Sequence, residues 1–185
     1  MKKAADVEQA AVATSLREFA GSFATGVAVI TARTRDGAYR GLTMNAVTSL
    51  SLKPPLYLIC LGNSSNTLSA VLETKRFAIN FLASHQIGLS KRFASKESNK
   101  FTGVSYAFGE TGCPLLRGVV AACECQVKAV HPGGDHRIII GQVLRISIHG
   151  GDPLIFHNGK FIQRSIAEVP NVSPNGTGEY AVAAQ

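Results

Sequence analysis

Between Val119 and Ile148 the sequence holds two long runs suited to β-strands, joined by only four turn-forming residues, Pro132-Gly133-Gly134-Asp135. Val119 to Val130 alternates apolar and polar side chains like a half-buried strand, and Arg137 to Ile148 is strongly β-branched. A connection this short has no room for a helical crossover, so the two strands must form an antiparallel hairpin.

The remaining segments extend the pattern. Leu16, Phe19, Ala20 and Phe23 recur at helical spacing, which predicts an amphipathic helix from Thr14 to Ala24, capped by Thr14 or Ser15 and ended near Gly26. Val27 to Ala32 is a β-rich run, and Asp36-Gly37 signals a hairpin to a strand starting near Tyr39. From Gly41 to Leu52 that strand leaves the sheet and becomes a loop rich in hydroxyls and amides. Pro54-Pro55 breaks the chain before a strand from Leu56 to Leu61. A polar loop leads into a short helix from Thr67 to about Glu73, then a strand from Phe77 to Leu82. Ser84 caps a second short helix running to Phe93, and residues 95–117 read as irregular. Leu154 to Phe156, a turn at His157-Asn158-Gly159 and a last short strand close the pattern. Seven or so strands without a βαβα rhythm predict a mainly β fold, an antiparallel barrel with short peripheral helices. The expected organisation is an N-terminal extension (1–13), one barrel domain (14–164) and a C-terminal tail (165–185).

Composition narrows the function classes. Hydrophobic residues make up 45% and charged residues 17%, which fits a globular chain. No apolar run is long enough to span a bilayer, and no apolar stretch follows the basic N-terminus, so membrane insertion and secretion are not expected and the cytoplasm is the default compartment. The net charge of +7 is dispersed, and its densest cluster (Lys91, Arg92, Lys96, Lys100) is diluted by Glu97. There is no Trp, and aromatics do not alternate with the basic residues, so small anions are expected as ligands ahead of nucleic acid. Cys60, Cys113, Cys123 and Cys125 form no C-x-x-C pair. Cys123 and Cys125 share a strand face, opposite Glu124, Gln126 and Lys128, and are expected as buried thiols with no metal. Hydrolase, zinc-protease, P-loop and Rossmann signatures are missing from the sequence.

Three segments carry candidate chemistry. Gly41 to Pro55 can present backbone groups along a flat heterocycle, or its side chains can simply satisfy their own backbone. Asn63-Ser64-Ser65-Asn66-Thr67 precedes a helix, where Ser and Thr are ordinary caps and where a phosphate also finds unpaired N–H groups. Arg92 is a candidate opposing cation. Gly133-Gly134-Asp135-His136 is a glycine turn with a histidine beside it, either a solvent-exposed turn residue or a hydrogen-bonding group at a cleft.

In their order along the chain these residues resemble the flavin reductase domain family of split-barrel flavoproteins. The resemblance runs from about Leu16 to Phe161. It is carried by Phe23-Ala24-Thr25-Gly26-Val27, Gly41 to Pro55, Asn63 to Thr67, Phe77-Ala78-Ile79-Asn80, Leu89 to Ala94, Gly134-Asp135-His136 and Pro153 to Phe156. It implies an antiparallel split β-barrel that forms a homodimer and passes a hydride from NADH or NADPH to FMN or FAD. The reduced flavin would go to a partner monooxygenase. The matching positions imply flavin contacts from Tyr39, Arg40, Gly41, Leu42, Thr43, Asn45, Ala46, Cys60, Leu61, Gly62, Asn66, Thr67, Arg92 and Phe93. Gly134, Asp135 and His136 would meet the nicotinamide, with His136 the expected catalytic residue. The alternative left open is a flavin-binding carrier or sensor without reductase turnover.

Overall fold

The computed structural model describes residues 2–162, with side chains from Val12 onward. Helix α1 (Lys2–Gly21) leads into β1 (Thr25–Gly26), β2 (Ala28–Arg33), β3 (Tyr39–Met44), β4 (Val47–Leu52) and β5 (Pro55–Gly62). Helix α2 (Asn66–Thr74) and β6 (Arg76–Phe81) follow, then a 3-10 turn (Ser84–Gln86) and α3 (Ile87–Ala94). The chain continues through β7 (Tyr106–Phe108), β8 (Pro114–Leu116), β9 (Ala121–Gly133), β10 (His136–Ile148), β11 (Ile155–His157) and β12 (Lys160–Ile162). Seven strands form one antiparallel sheet in the order β3-β2-β6-β9-β10-β5-β4. Its edges, β3 and β4, are joined in sequence through Asn45 and Ala46 but do not pair with each other. The barrel is therefore split at that seam. Among the described residues no helix is long and apolar enough to cross a membrane.

Two apolar clusters sit on opposite faces of this sheet, and β2 serves both. Ala28, Ile30 and Ala32 enter a cluster with Ile59, Phe77, Ile79, Cys125 and residues of α2. Val27 and Val29 enter a second with Phe93, Leu116 and Leu154. Burial on both faces explains why this stretch reads as an unbroken apolar run. In β10, Gly141 lies beside a register shift against β9, and a Cβ there would overlap the Phe77 ring. The missing side chain lets the sheet bend around that aromatic.

Several sequence expectations are corrected. The first helix is not confined to Thr14–Ala24: it spans Lys2–Gly21, so neither Thr14 nor Ser15 caps it, and Gly26 lies in β1. Alanines at 4, 5, 10, 11 and 13 favour propagation toward the N-terminus, and the expected boundary between residues 13 and 14 falls inside the helix. Its apolar stripe does not face the core, since Leu16 is 60% and Phe19 76% exposed, as is Phe23 at 75%. The expected loop after Met44 forms β4. Ser84 is not a cap; the Ala83 N–H donates to Gln86 Oε1 at 3.0 Å instead. Within 95–117 a small hairpin, β7–β8, is pinned by buried polar groups. Asn80 Nδ2 donates to the Val29 carbonyl at 3.1 Å, its Oδ1 accepts the Leu116 N–H at 2.8 Å, and Thr31 Oγ1 donates to the Pro114 carbonyl at 2.5 Å. Pro132 and Gly133 belong to β9, which tightens the turn to Gly134 and Asp135. Glu124, placed on a polar face by alternation, is buried; its carboxylate accepts both the N–H (2.7 Å) and the hydroxyl (2.5 Å) of Thr111. The tail from 165 lies outside the described residues.

Candidate functional site

The start of β3 and the start of α2 face each other across a cleft of about 370 Å³. Tyr39, Arg40 and Gly41 line one wall, and Asn66 and Thr67 the other, with residues 96–101 closing it. Gly41 is required by space: a Cβ there would lie 2.5 Å from Phe93 Cε1. Lys100 fastens the closing segment, donating from Nζ to the Phe93 carbonyl at 2.8 Å and the Gly41 carbonyl at 3.3 Å. Burial of its ammonium pushes the Lys100 pKa below the ordinary lysine value. The Tyr39 ring packs against Phe101, Tyr106 and Phe108 with centroids 5.5–5.7 Å apart, a rigid aromatic wall behind the cleft.

At the α2 entrance the local chemistry is that of a capped helix. Ser65 is extended, and its Oγ accepts the N–H of Thr67 at 3.2 Å and of Leu68 at 3.5 Å. Thr67 is itself buried. An anion here meets the positive end of a helix, the amide of Asn66, and the cationic side chains of Arg40 and Lys96, with Glu97 the acid among the lining residues. That donor set fits the phosphate end of a flavin nucleotide.

The β9–β10 turn lies next to this entrance. Across the β5–β10 pair, His136 stands opposite Gly62, Arg137 opposite Leu61 and Ile138 opposite Cys60. Gly62 leaves room for the imidazole; even a Cβ built there would be 3.7 Å from His136 Nε2. His136 Nδ1 lies 2.6 Å from Asp135 Oδ1, and this hydrogen bond holds the Asp135 carboxyl below the ordinary carboxylate value. Asn63 stitches the two loops together: its N–H donates to the Asp135 carbonyl at 2.9 Å and its Nδ2 to the Gly134 carbonyl at 3.3 Å.

The residues expected at the site thus divide. Tyr39, Arg40, Gly41, Asn66 and Thr67 share the cleft. Cys60, Gly62, Gly134, Asp135 and His136 gather on the adjoining β5–β10 rim. Leu42 is half-buried against the core, and Thr43 donates through Oγ1 to the Ser90 carbonyl at 2.7 Å. Asn45 reaches Thr25 Oγ1 at 3.2 Å, and the Ala46 carbonyl accepts the Cys60 N–H at 3.1 Å, so both sit on the barrel seam. The Leu61 and Phe93 side chains are fully buried. Arg92 does not line the cleft; its Nη1 donates to the Thr102 carbonyl at 2.5 Å. Sequence reasoning left out Lys96, Lys100 and Phe101 as site residues, although the dense basic cluster was a usable signal. Asn63 and Ser65 were singled out only as part of the Asn63–Thr67 segment, and no individual role was expected of either.

Fold and cleft together define a split-barrel protein with an anion-receptive site, and the chain belongs to the flavin reductase like domain family, whose match spans residues 20–164. It is 35% identical over 162 residues to a flavin reductase of Pseudomonas putida, covering 86% of this chain and 95% of that one. It is 36% identical over 150 residues to HsaB, the reductase subunit of a flavin-dependent monooxygenase of Mycobacterium tuberculosis, covering 80% of each. Among solved structures it resembles SgcE6, an NADH:FAD oxidoreductase of Streptomyces globisporus determined with NAD and FAD fragments. The TM-score is 0.79 at 33% identity, covering 86% of this chain and 94% of that one.

Proposed function

We propose that this chain is an NAD(P)H:flavin oxidoreductase that hands reduced flavin to a partner monooxygenase. The observation that carries the reading is the pair of Asn63 hydrogen bonds, which set the Gly134-Asp135-His136 turn beside the phosphate-receptive α2 entrance. Held together here, a reduced nicotinamide and a flavin would supply the chemistry, a hydride passing from one to the other. The protein's task would then be placement of the two rings, and no strong acid or base would be needed. In this reading Arg40, Asn66 and Lys96 hold the flavin phosphate end, the β3 backbone runs along the ring system, and His136 orients the dinucleotide by hydrogen bonding. Asp135, bound to Nδ1, orients that imidazole.

A second copy of the chain is part of the proposal. Phe19 and Phe23 near the end of α1, with Leu52 on β4 and Ile146 and Ile148 on β10, are 65–80% exposed. Large apolar side chains in such number are what a homodimer interface would cover. The experiment is oxidation of NADH and NADPH by the purified chain with FMN, FAD or riboflavin added. Flavin-dependent turnover is expected; flavin binding without turnover would make the chain a carrier.

A further inference from the structure

A second cavity, of about 540 Å³, lies away from the flavin cleft, at the other end of α2. Glu73 and Thr74 follow Asn66 and Thr67 by seven positions of helix, about 10 Å along the axis. Three guanidinium groups, from Arg33 at the end of β2, Arg35 in the β2–β3 turn and Arg76 at the start of β6, line it with one carboxylate, that of Glu73.

Of the three arginines, Arg35 alone engages the Glu73 carboxylate and carbonyl among the described residues. Arg35 Nε lies 3.8 Å from Glu73 Oε1, and Arg35 Nη2 donates to the Glu73 carbonyl at 3.4 Å. Neither Arg33 nor Arg76 donates a side-chain hydrogen bond or forms an ion pair among the described residues. The exposed Arg33 side chain lies beside two glycine turns. A Cβ at Gly37 would lie 3.4 Å from its Nη2, and one at Gly112 would lie 3.7 Å from its Nη1. Both glycines have positive φ (91° and 70°), so these turns bring no side chain of their own beside the guanidinium. On the inner wall Cys113 is buried, and burial keeps its thiol protonated, adding no charge of its own.

We propose that this cavity is a second anion site, separate from the flavin cleft, which takes a multiply charged phosphate-class oxyanion on Arg33 and Arg76. Planar guanidinium forks match phosphate oxygens in pairs, and these two are left with no partner among the described residues. The site does not depend on the reductase reading, because it shares no lining residue with the flavin cleft.

The test is calorimetric titration of the full chain with pyrophosphate at low salt, with and without saturating FMN. With FMN filling the flavin cleft, whose own cations also attract phosphate, one saturable pyrophosphate site is expected to remain, and Arg40→Gln should leave it unchanged. The double variant Arg33→Gln/Arg76→Gln should bind pyrophosphate about tenfold more weakly or worse, a change of 1.4 kcal/mol by the usual conversion. Both arginines are exposed and unpaired, so the fold should stand; the single Arg76→Gln variant, expected to show an intermediate loss, gives a second reading. A parallel ADP titration distinguishes a nucleotide from the inorganic ion: tighter binding of ADP through the same arginines means a nucleotide phosphate is the ligand, and equal binding means the phosphate alone is read. No saturable heat in the presence of FMN, unchanged FMN-resistant affinity in the double variant, or loss of the FMN-resistant binding in Arg40→Gln would overturn the proposal.

Discussion

The main-chain N–H of Asn63 donates to the carbonyl of Asp135 across 2.9 Å, joining the loop before α2 to the β9–β10 turn. The Asn63 side chain adds a second bond to Gly134. Asn63→Ala removes only the side-chain bond, so stability should fall by about 0.5–1.5 kcal/mol. KM for NAD(P)H should rise while flavin affinity holds. Steady-state kinetics beside a flavin fluorescence titration separates the two effects, and an equal loss of both would mean that the loops move as one.

Gly41→Ala should act through Phe93. Its new methyl group would sit 2.5 Å from the ring, and the overpacking should cost about 1–3 kcal/mol. Flavin binding should weaken with it, because β3 is displaced along the cleft. Adding Phe93→Leu should recover part of the thermal stability, which melting curves of the single and double variants will show.

Ser65→Ala removes the cap of α2 and should cost about 1 kcal/mol. If the phosphate lies at this entrance, FMN affinity should fall more than riboflavin affinity. Matched titrations with the two flavins measure the difference. Equal losses would assign Ser65 to the helix alone.

Thiol burial predicts a pH dependence of stability. Burial raises the Cys113 and Cys60 thiols above the ordinary value of 9.0. Above that value the unfolded chain loses these protons while the folded chain keeps them, so unfolding is increasingly favoured as pH rises. Below it both states are protonated and the effect vanishes. Denaturant midpoints should therefore decline on the alkaline side of 9.0, and Cys113→Ala should flatten the decline.

The architecture was legible where local chemistry and burial agree. Asp36-Gly37 marks a real hairpin, and the glycine turn before the long strand joins β9 to β10. The strand β4 was missed because Thr48, Ser49 and Leu50 at the barrel seam are all exposed, so no alternation of burial is imposed on its sequence. Glu124 was misplaced because its partner Thr111 lies in a segment without periodicity, and only the fold brings the hydroxyl to the carboxylate. The same limit hid Lys96 and Lys100: their place in the cleft depends on how residues 95–105 return over β3. Of the apolar stripe expected on the first helix, Leu16 and Phe19 lie on α1 with nothing among the described residues to cover them, and Phe23 lies beyond its end.

The central claim rests on His136 acting on the dinucleotide and not on the flavin. Its ring is half-exposed, set by Asp135 at 2.6 Å and standing over Gly62. The most direct test compares wild type with His136→Ala in NAD(P)H-dependent reduction of free flavin, alongside flavin titrations of both proteins. Wild type should turn over, and the variant should bind flavin almost unchanged while kcat/KM for NAD(P)H falls roughly ten- to a hundredfold, about 1.4–2.7 kcal/mol. Undiminished turnover in His136→Ala would return the residue to an ordinary turn position, and a wild-type protein that binds flavin without oxidising NAD(P)H would contradict the account as a whole.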